Sequence, residues 1–359
     1  MNNYRIWVAV SVLAGLLAFS SCTGDGVGLY SMEEVAHSQR QWTGVAVSQE
    51  GRLFVSYPRW RMDLTFSVVE ITADGLEQPY PNEHWNSWTP ADQPADYFVC
   101  VQSVYVDRDN YLWLLDPGLD PARGILEGGS KLIKVDLQTD SIVQIIAFDR
   151  TVAPQNSYLN DVRVDTRREF AYITDSGLGA IVAVNLATGE SRRFLDGHPA
   201  TQAEDITLVI EGQPWQRPDG STPKIHSDGL ALDDHGDLLY FQALTGYTLY
   251  RIPSAMLRDW SLTVEDRGAE VEELLLVGAS DAIEFGPGGY LYFTSIEHNA
   301  VRRLTPDRQI EMVVQDERLK WPDSFAITAK GEIYVTTSQI HLGPEVTDPY
   351  RVFKLTPKK

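Results

Sequence analysis

The chain has 359 residues, 50 of them Asp or Glu against 30 Lys or Arg, for a formal net charge of −20. That balance excludes nucleic acid and anionic membrane surfaces as principal partners and favours solubility and small neutral or cationic ligands. The length suits one large repeat-built domain, since it exceeds what an ordinary single core fills and no linker-like stretch divides it.

Arg5 is followed by a largely apolar run, Ile6 to Phe19, that ends at Phe19-Ser20-Ser21-Cys22. A charged start, an apolar middle and a small-residue end make residues 1–22 an export leader, too short and wrongly flanked for a spanning helix. Cys22 after two serines resembles a bacterial lipobox, with Phe19 where Leu is usual, which implies a diacylated Cys22 as the mature N-terminus. The alternative is a plain signal peptide with an incidental cysteine. Thr23 stands where an Asp would retain a lipoprotein in the inner membrane, so the expected location is the outer membrane, facing the periplasm or the surface. Membrane attachment is expected only through this anchor. Residues 23–28 read as a flexible tether and residues 29–359 as a single domain. Cys100, in the apolar run Tyr97 to Val101, is alone in the mature chain and reads as a buried, inert thiol rather than half of a disulfide.

Leu29 to Val35 reads as a strand without a hairpin of its own. After it one phrase recurs six times, beginning at Thr43, Gln102, Asn160, Asp228, Asp281 and Asp323. Each copy alternates apolar and polar residues on either side of a turn, as in VAVSQEGRLFVSYP, LALDDHGDLLYFQAL and FAITAKGEIYVTTS, which reads as a hairpin with outer strands following. A spacing of roughly 42 to 68 residues built from short strands is the signature of an all-β, six-bladed β-propeller. The last copy is one strand short, so Leu29 to Val35 is predicted to pair with it and close the ring, leaving few open edges. The outer strand of the first blade, near Glu77 to Tyr80, is the hardest to place.

Inner strands of a propeller line the central channel, so equivalent positions form a ring. Here the ring is Thr43, Gln102, Asn160, Asp228, Asp281 and Asp323, all with oxygen-bearing side chains. Such a set suits a hard cation such as Ca²⁺, a metal-free polar pocket, or the capping of strand ends. Carboxylates converging without a cation repel one another and raise their pKa values. His226, two residues before Asp228, is a candidate general base. Glu297 and Asn299, beside His298 at the turn out of the fifth hairpin, are candidates to face the channel. His198 reads as a structural turn residue. The segments Glu77 to Asp96, with Trp85 and Trp88, and Asp196 to His226, with Trp215, exceed what the blades need and read as covers for the channel mouth. Their aromatics either stack on a flat or cationic ligand or pack the loops onto the rim. No His-Glu-x-x-His, Gly-x-Ser-x-Gly or phosphate-cradling loop occurs, and Asp107 to Tyr111 and Asp233 to Asp237 read as hairpin turns rather than calcium loops.

The phrases FVCVQSVYVDRDNYLWLLDPG, SYLNDVRVDTRREFAYITDSG, RFLDGHPA, SDGLALD and LKWPDSFAITAKGEIYVTTSQIHL resemble the major royal jelly/yellow family in its bacterial branch, from about residue 37 to residue 356. The resemblance implies a six-bladed propeller and leaves function open, because members include pigment-pathway proteins, nutrient proteins and binders of small amines. The ring is also similar to that of gluconolactonase-like and paraoxonase-like propellers. That likeness implies a calcium held by Asn160, Asp228 and Asp281, with Thr43 departing from the glutamate of those enzymes. Four functions therefore follow as expectations. The first is a small-molecule binder using Gln102, Asp323, Glu297, Asn299, Trp85, Trp88 and Trp215. The second is a calcium-dependent hydrolase of lactones or esters in which Asp228 or His226 activates water. A dopachrome-type isomerase and a protein-interaction platform complete the set.

Overall fold

The computed structural model describes residues 27–61 and 64–358, so the leader and Cys22 lie outside the described residues. Each of the six repeats forms a four-stranded antiparallel sheet. Their inner strands are Val45–Val47, Ser103–Val106, Leu159–Asp165, Ser227–Leu232, Ile283–Gly286 and Pro322–Ile327. Each inner strand adjoins those of the blades before and after it, and the first adjoins the sixth, so the ring is closed.

Closure is made by the N-terminal strand. Tyr30–Ser38 runs antiparallel to Tyr350–Pro357, with Tyr30 opposite Pro357, Ser38 opposite Tyr350 and a bulge between Glu34 and Ala36. The strand reaches three residues further than the sequence pattern suggested. Its Tyr30 hydroxyl also meets that of Tyr292 in blade 5 at 2.8 Å. In blade 1 the outermost strand is Glu77–Pro79, held by Tyr57, whose hydroxyl donates to Glu77 at 2.6 Å, and by an ion pair with Arg40.

Period-2 alternation sends apolar side chains into the gaps between blades, and each of the six gaps holds its own cluster. Phe54, Leu112, Leu114 and Ile133 fill the gap between blades 1 and 2. Trp42, Val55, Val69, Tyr350 and Val352 fill the gap where the ring closes. Each fully buried aliphatic side chain contributes roughly 1.5–3 kcal/mol, which makes the six gaps the main source of stability. The acidic hairpin turns are self-contained: Asp107 accepts from the backbone N–H groups of Asp109 and Tyr111, and Asp233 from those of Asp237 and Leu238. Their carboxylates stiffen turns, as the sequence reading expected.

Both long connections carry small cores of their own. In the first, Trp85 stacks on Phe98 at 5.2 Å, and Trp88 is 4% exposed with the guanidiniums of Arg59 and Arg123 over its ring. The second contains a short hairpin, Val209–Ile210 with Gln213–Pro214, packed over Leu244, Ala279, Ile296 and Trp321.

Candidate functional site at the channel mouth

A repeated hydroxyl positions the ring. Ser56, Thr174 and Thr336, at equivalent points of second strands, each accept a backbone N–H of their own blade, from Gly44, Asp161 and Ser324. Each then donates across the gap to the carbonyl of the next blade's ring residue, Gln102, Asp228 and Thr43. Three of the ring residues thus have their carbonyls stitched to the neighbouring blade, and all six are buried. Thr43 spends its own hydroxyl on the Gln102 carbonyl at 2.9 Å and acts as one more stitch. Bulges in the inner strands of blades 3, 4 and 6, at 159–162, 227–230 and 322–325, re-aim the side chains where the ring forms.

The two amides of the ring belong to one directed chain of hydrogen bonds. The Trp60 indole donates to the Tyr158 hydroxyl at 2.7 Å, which donates to Gln102 Oε1 at 2.7 Å. Gln102 Nε2 donates to Asn160 Oδ1 at 3.0 Å, and Asn160 Nδ2 donates to Ser176 Oγ at 3.0 Å. An indole N–H can only donate, so Trp60 fixes the polarity of every later link and hence which way both amides face.

Beside the amides lie four buried carboxylates. Asp228 is pushed well above the usual carboxylate range by burial and by the charges of Asp161 and Asp323. Asp281 is also raised by burial and by the charges of Asp323 and Asp228, although the Trp321 indole donates to its Oδ2. Asp323 is pushed up to about 7, chiefly by burial, and Asp161 is raised by burial alone. Further along the channel Arg163 meets Glu284 at 2.6 Å, with Tyr105 against the guanidinium. Among the described residues the cluster thus has one nearby cation, and that cation already has an acidic partner.

Of the ring residues singled out from sequence, Gln102, Asn160, Asp228, Asp281 and Asp323 come together. Other candidates have different positions. The only lone pair that a neutral His226 offers on Nδ1 is taken by the Ala203 N–H at 3.0 Å, so the ring presents an N–H on Nε2 rather than a base, and burial lowers its pKa further. Glu297 accepts from the Val209 N–H at 2.8 Å and from the Tyr247 hydroxyl, which makes it an anchor for the loop hairpin. Asn299 occupies a left-handed turn (φ 48°) between the second and third strands of blade 5. Trp215 packs edge-on against Trp321 at 4.9 Å, while Trp85 and Trp88 are committed to the loop cores described above.

Asp161 was missed. It follows Asn160 in a column that otherwise reads Gly44, Ser103, Gly229, Ala282 and Ser324, and a carboxylate among such small residues was the available signal. Small size is required there: a Cβ on Gly44 would meet Ser56 Oγ at 2.6 Å. Trp321 was missed because nothing in the repeat marks a residue that reaches a neighbouring blade's acid.

Among the described residues, no three His, Cys, Asp or Glu side chains are arranged to hold a metal ion. In the expected set, Asn160 Oδ1 and Asp281 Oδ2 already accept hydrogen bonds, whereas no hydrogen bond contributes at Asp228. The donor chemistry, two carboxylates and an amide oxygen, fits calcium in kind.

Fold and site define a six-bladed propeller with a buried acidic cluster at one end of its channel. The chain belongs to the major royal jelly protein family, whose model matches residues 99–344. No curated protein matches it. Among solved structures it is similar to a gluconolactonase from Xanthomonas campestris, at 14% identity and a TM-score of 0.57, over 93% of this chain and 92% of that one. It is also similar to virginiamycin B lyase from Staphylococcus aureus (15% identity, TM-score 0.53, 92% and 100% covered). A third is regucalcin, a calcium-binding protein from Agrobacterium tumefaciens (13%, 0.54, 90% and 94%). At these identities the likeness is one of fold.

Proposed function

We propose that this chain is a binding propeller that takes a small cationic molecule, aromatic in one part, at the mouth of its channel. The observation that carries the reading is the meeting of Asp161, Asp228, Asp281 and Asp323 in a buried space whose one guanidinium, Arg163, is matched by Glu284. Buried like charges either stay protonated or gain a cation, and a guest that brings one is favoured by both attraction and relief of repulsion. Trp60 and Tyr158, half-buried and linked to Gln102, supply aromatic surface next to that charge.

A second reading, a calcium-dependent hydrolase of lactones or esters, is favoured by Asp228, whose carboxylate has no hydrogen bond among the described residues and is therefore open to an ion or a water. Asn160, Asp228 and Asp281 would hold the ion, which supplies Lewis-acid polarisation of a carbonyl. In that reading Asp228 accepts the proton of the attacking water, and the Gln102–Asn160 chain keeps the amides oriented. The fold shared with a gluconolactonase and a calcium-binding protein is consistent with this alternative.

The test is calorimetric titration of leaderless, chelator-treated protein at pH 8 with phenethylamine and, separately, with calcium chloride. Amine binding that is lost in Asp228→Asn supports the first reading. Calcium binding accompanied by lactone hydrolysis supports the second, and heat from neither ligand refutes both. We also propose that residues 1–22 direct export, that Cys22 is lipidated for outer-membrane anchoring, and that residues 29–359 form the single domain. These rest on the leader pattern and on the closing strand beginning at Tyr30.

A further inference from the structure

A second pair of residues lies where the long loop meets blade 6. His341 Nε2 is 2.9 Å from Glu211 Oε2, and the histidine side chain is 7% exposed. A carboxylate accepts, so Nε2 carries the proton and Nδ1 is left with its lone pair. That Nδ1 is buried and has no hydrogen-bond partner among the described residues, and the same holds for Oε1 of the nearby Gln339. One turn therefore holds two buried, unused acceptors. Buried acceptors without partners are rare in proteins and point to something that arrives.

The surroundings connect this turn to the carboxylate cluster. His341 stacks parallel to Trp321, with centroids 5.8 Å apart and planes inclined by 10°. Trp321 in turn donates its indole N–H to Asp281 and takes Trp215 edge-on, within the apolar cluster under the loop hairpin. Glu211 occupies the two-residue turn of the loop hairpin with φ 50°, followed by Gly212 at φ 78°. Such a turn needs positive φ at both positions and is usually built with Asn or Asp before Gly, so a glutamate there trades backbone preference for the placement of its carboxylate. The hairpin is pinned at its other end by Glu297. Loop, turn and ring are thus assembled around one imidazole.

We propose that His341, oriented by Glu211, is a ligand-contact residue that accepts a hydrogen bond from the guest of the carboxylate cluster. This rests on the binding reading above and narrows it: the guest carries an N–H or O–H donor, so a protonated primary amine is taken in preference to a quaternary ammonium of the same charge.

The experiment compares phenethylamine with its N,N,N-trimethyl derivative by calorimetry on wild type, His341→Phe, which keeps a ring on Trp321, and His341→Asn, which restores an acceptor near Nδ1. Long-range ¹H–¹⁵N NMR of the wild type reads the tautomer directly. The expected result is an Nδ1 without a proton whose resonance moves with phenethylamine, and about a tenfold loss of phenethylamine affinity in His341→Phe that His341→Asn partly restores. Affinity for the trimethyl compound stays unchanged. A proton on Nδ1, or equal loss of both amines in His341→Phe, overturns the role given to His341 and leaves the carboxylate reading standing. Failure of both amines to bind the wild type overturns the carboxylate reading and this inference with it.

Discussion

Replacing Asp323 by asparagine is expected to stabilise the protein above neutral pH while leaving it unchanged in acid. Burial lifts the Asp323 carboxyl from the usual 3.8 to about 7. An acid whose folded pKa is raised adds no penalty below its unfolded pKa, and stability is lost as pH rises from there through the folded value. A shift of about 3 units corresponds to about 4 kcal/mol, an upper bound because Asp161, Asp228 and Asp281 share the same protons. Asparagine keeps an oxygen for the Ser324 hydroxyl, which donates to Asp323 Oδ1 at 3.0 Å, and it removes a charge that raises both Asp228 and Asp281. The assay is urea unfolding of wild type and Asp323→Asn at pH 4, 6 and 8 in chelator, so that titrating groups outside the carboxylate cluster cancel. The gap between the two proteins is expected to grow from near zero at pH 4 to a value at pH 8 of at most about 4 kcal/mol. A guest amine at one hundred times its dissociation constant is expected to return about 2.7 kcal/mol to the wild type at pH 8. A gap independent of pH, or an Asp323→Asn protein less stable than wild type at pH 8, would refute the argument that these carboxylates are held together at a cost.

Arg163→Met strands the buried Glu284 and is expected to cost about 3–5 kcal/mol in urea unfolding, most of it recovered by adding Glu284→Gln. Trp60→Phe removes the donor that sets the direction of the Tyr158–Gln102–Asn160 chain; about 1 kcal/mol of stability and several-fold of amine affinity are expected to go, and calorimetry reads the second. Cys22→Ala in the full chain is expected to move the protein from the membrane pellet to the soluble envelope fraction, and an unchanged distribution would reject lipid anchoring.

What the sequence displays and what it hides divide along a physical line. Blade number and inner hairpins were legible because each depends on short-range alternation repeated six times, and the closing strand because Leu29 to Val35 alternates without a hairpin of its own. The ring was legible for the same reason, since aligned repeats put aligned residues on one axis. Asp161 was visible as the lone acid in a column of small residues, but its meaning required knowing that the bulge at 159–162 re-aims side chains at this point of the strand. Trp85, Trp88 and Trp215 looked like ligand surfaces because a loop's own packing leaves no periodic trace, and three tryptophans between prolines read the same whether they face a guest or a small core. His341 and Glu211 stand 130 residues apart, and neither sits in a repeat position. Their pairing exists only because the loop hairpin, from the connection between blades 3 and 4, reaches Glu297 of blade 5 and His341 of blade 6, so it follows from the tertiary fold and from nothing shorter. A site assembled in this way, half from repeated ring positions and half from non-repeated loops, places the shared charge in the part a propeller inherits from its blades. The choice among cations then falls to the part that blades leave free to vary.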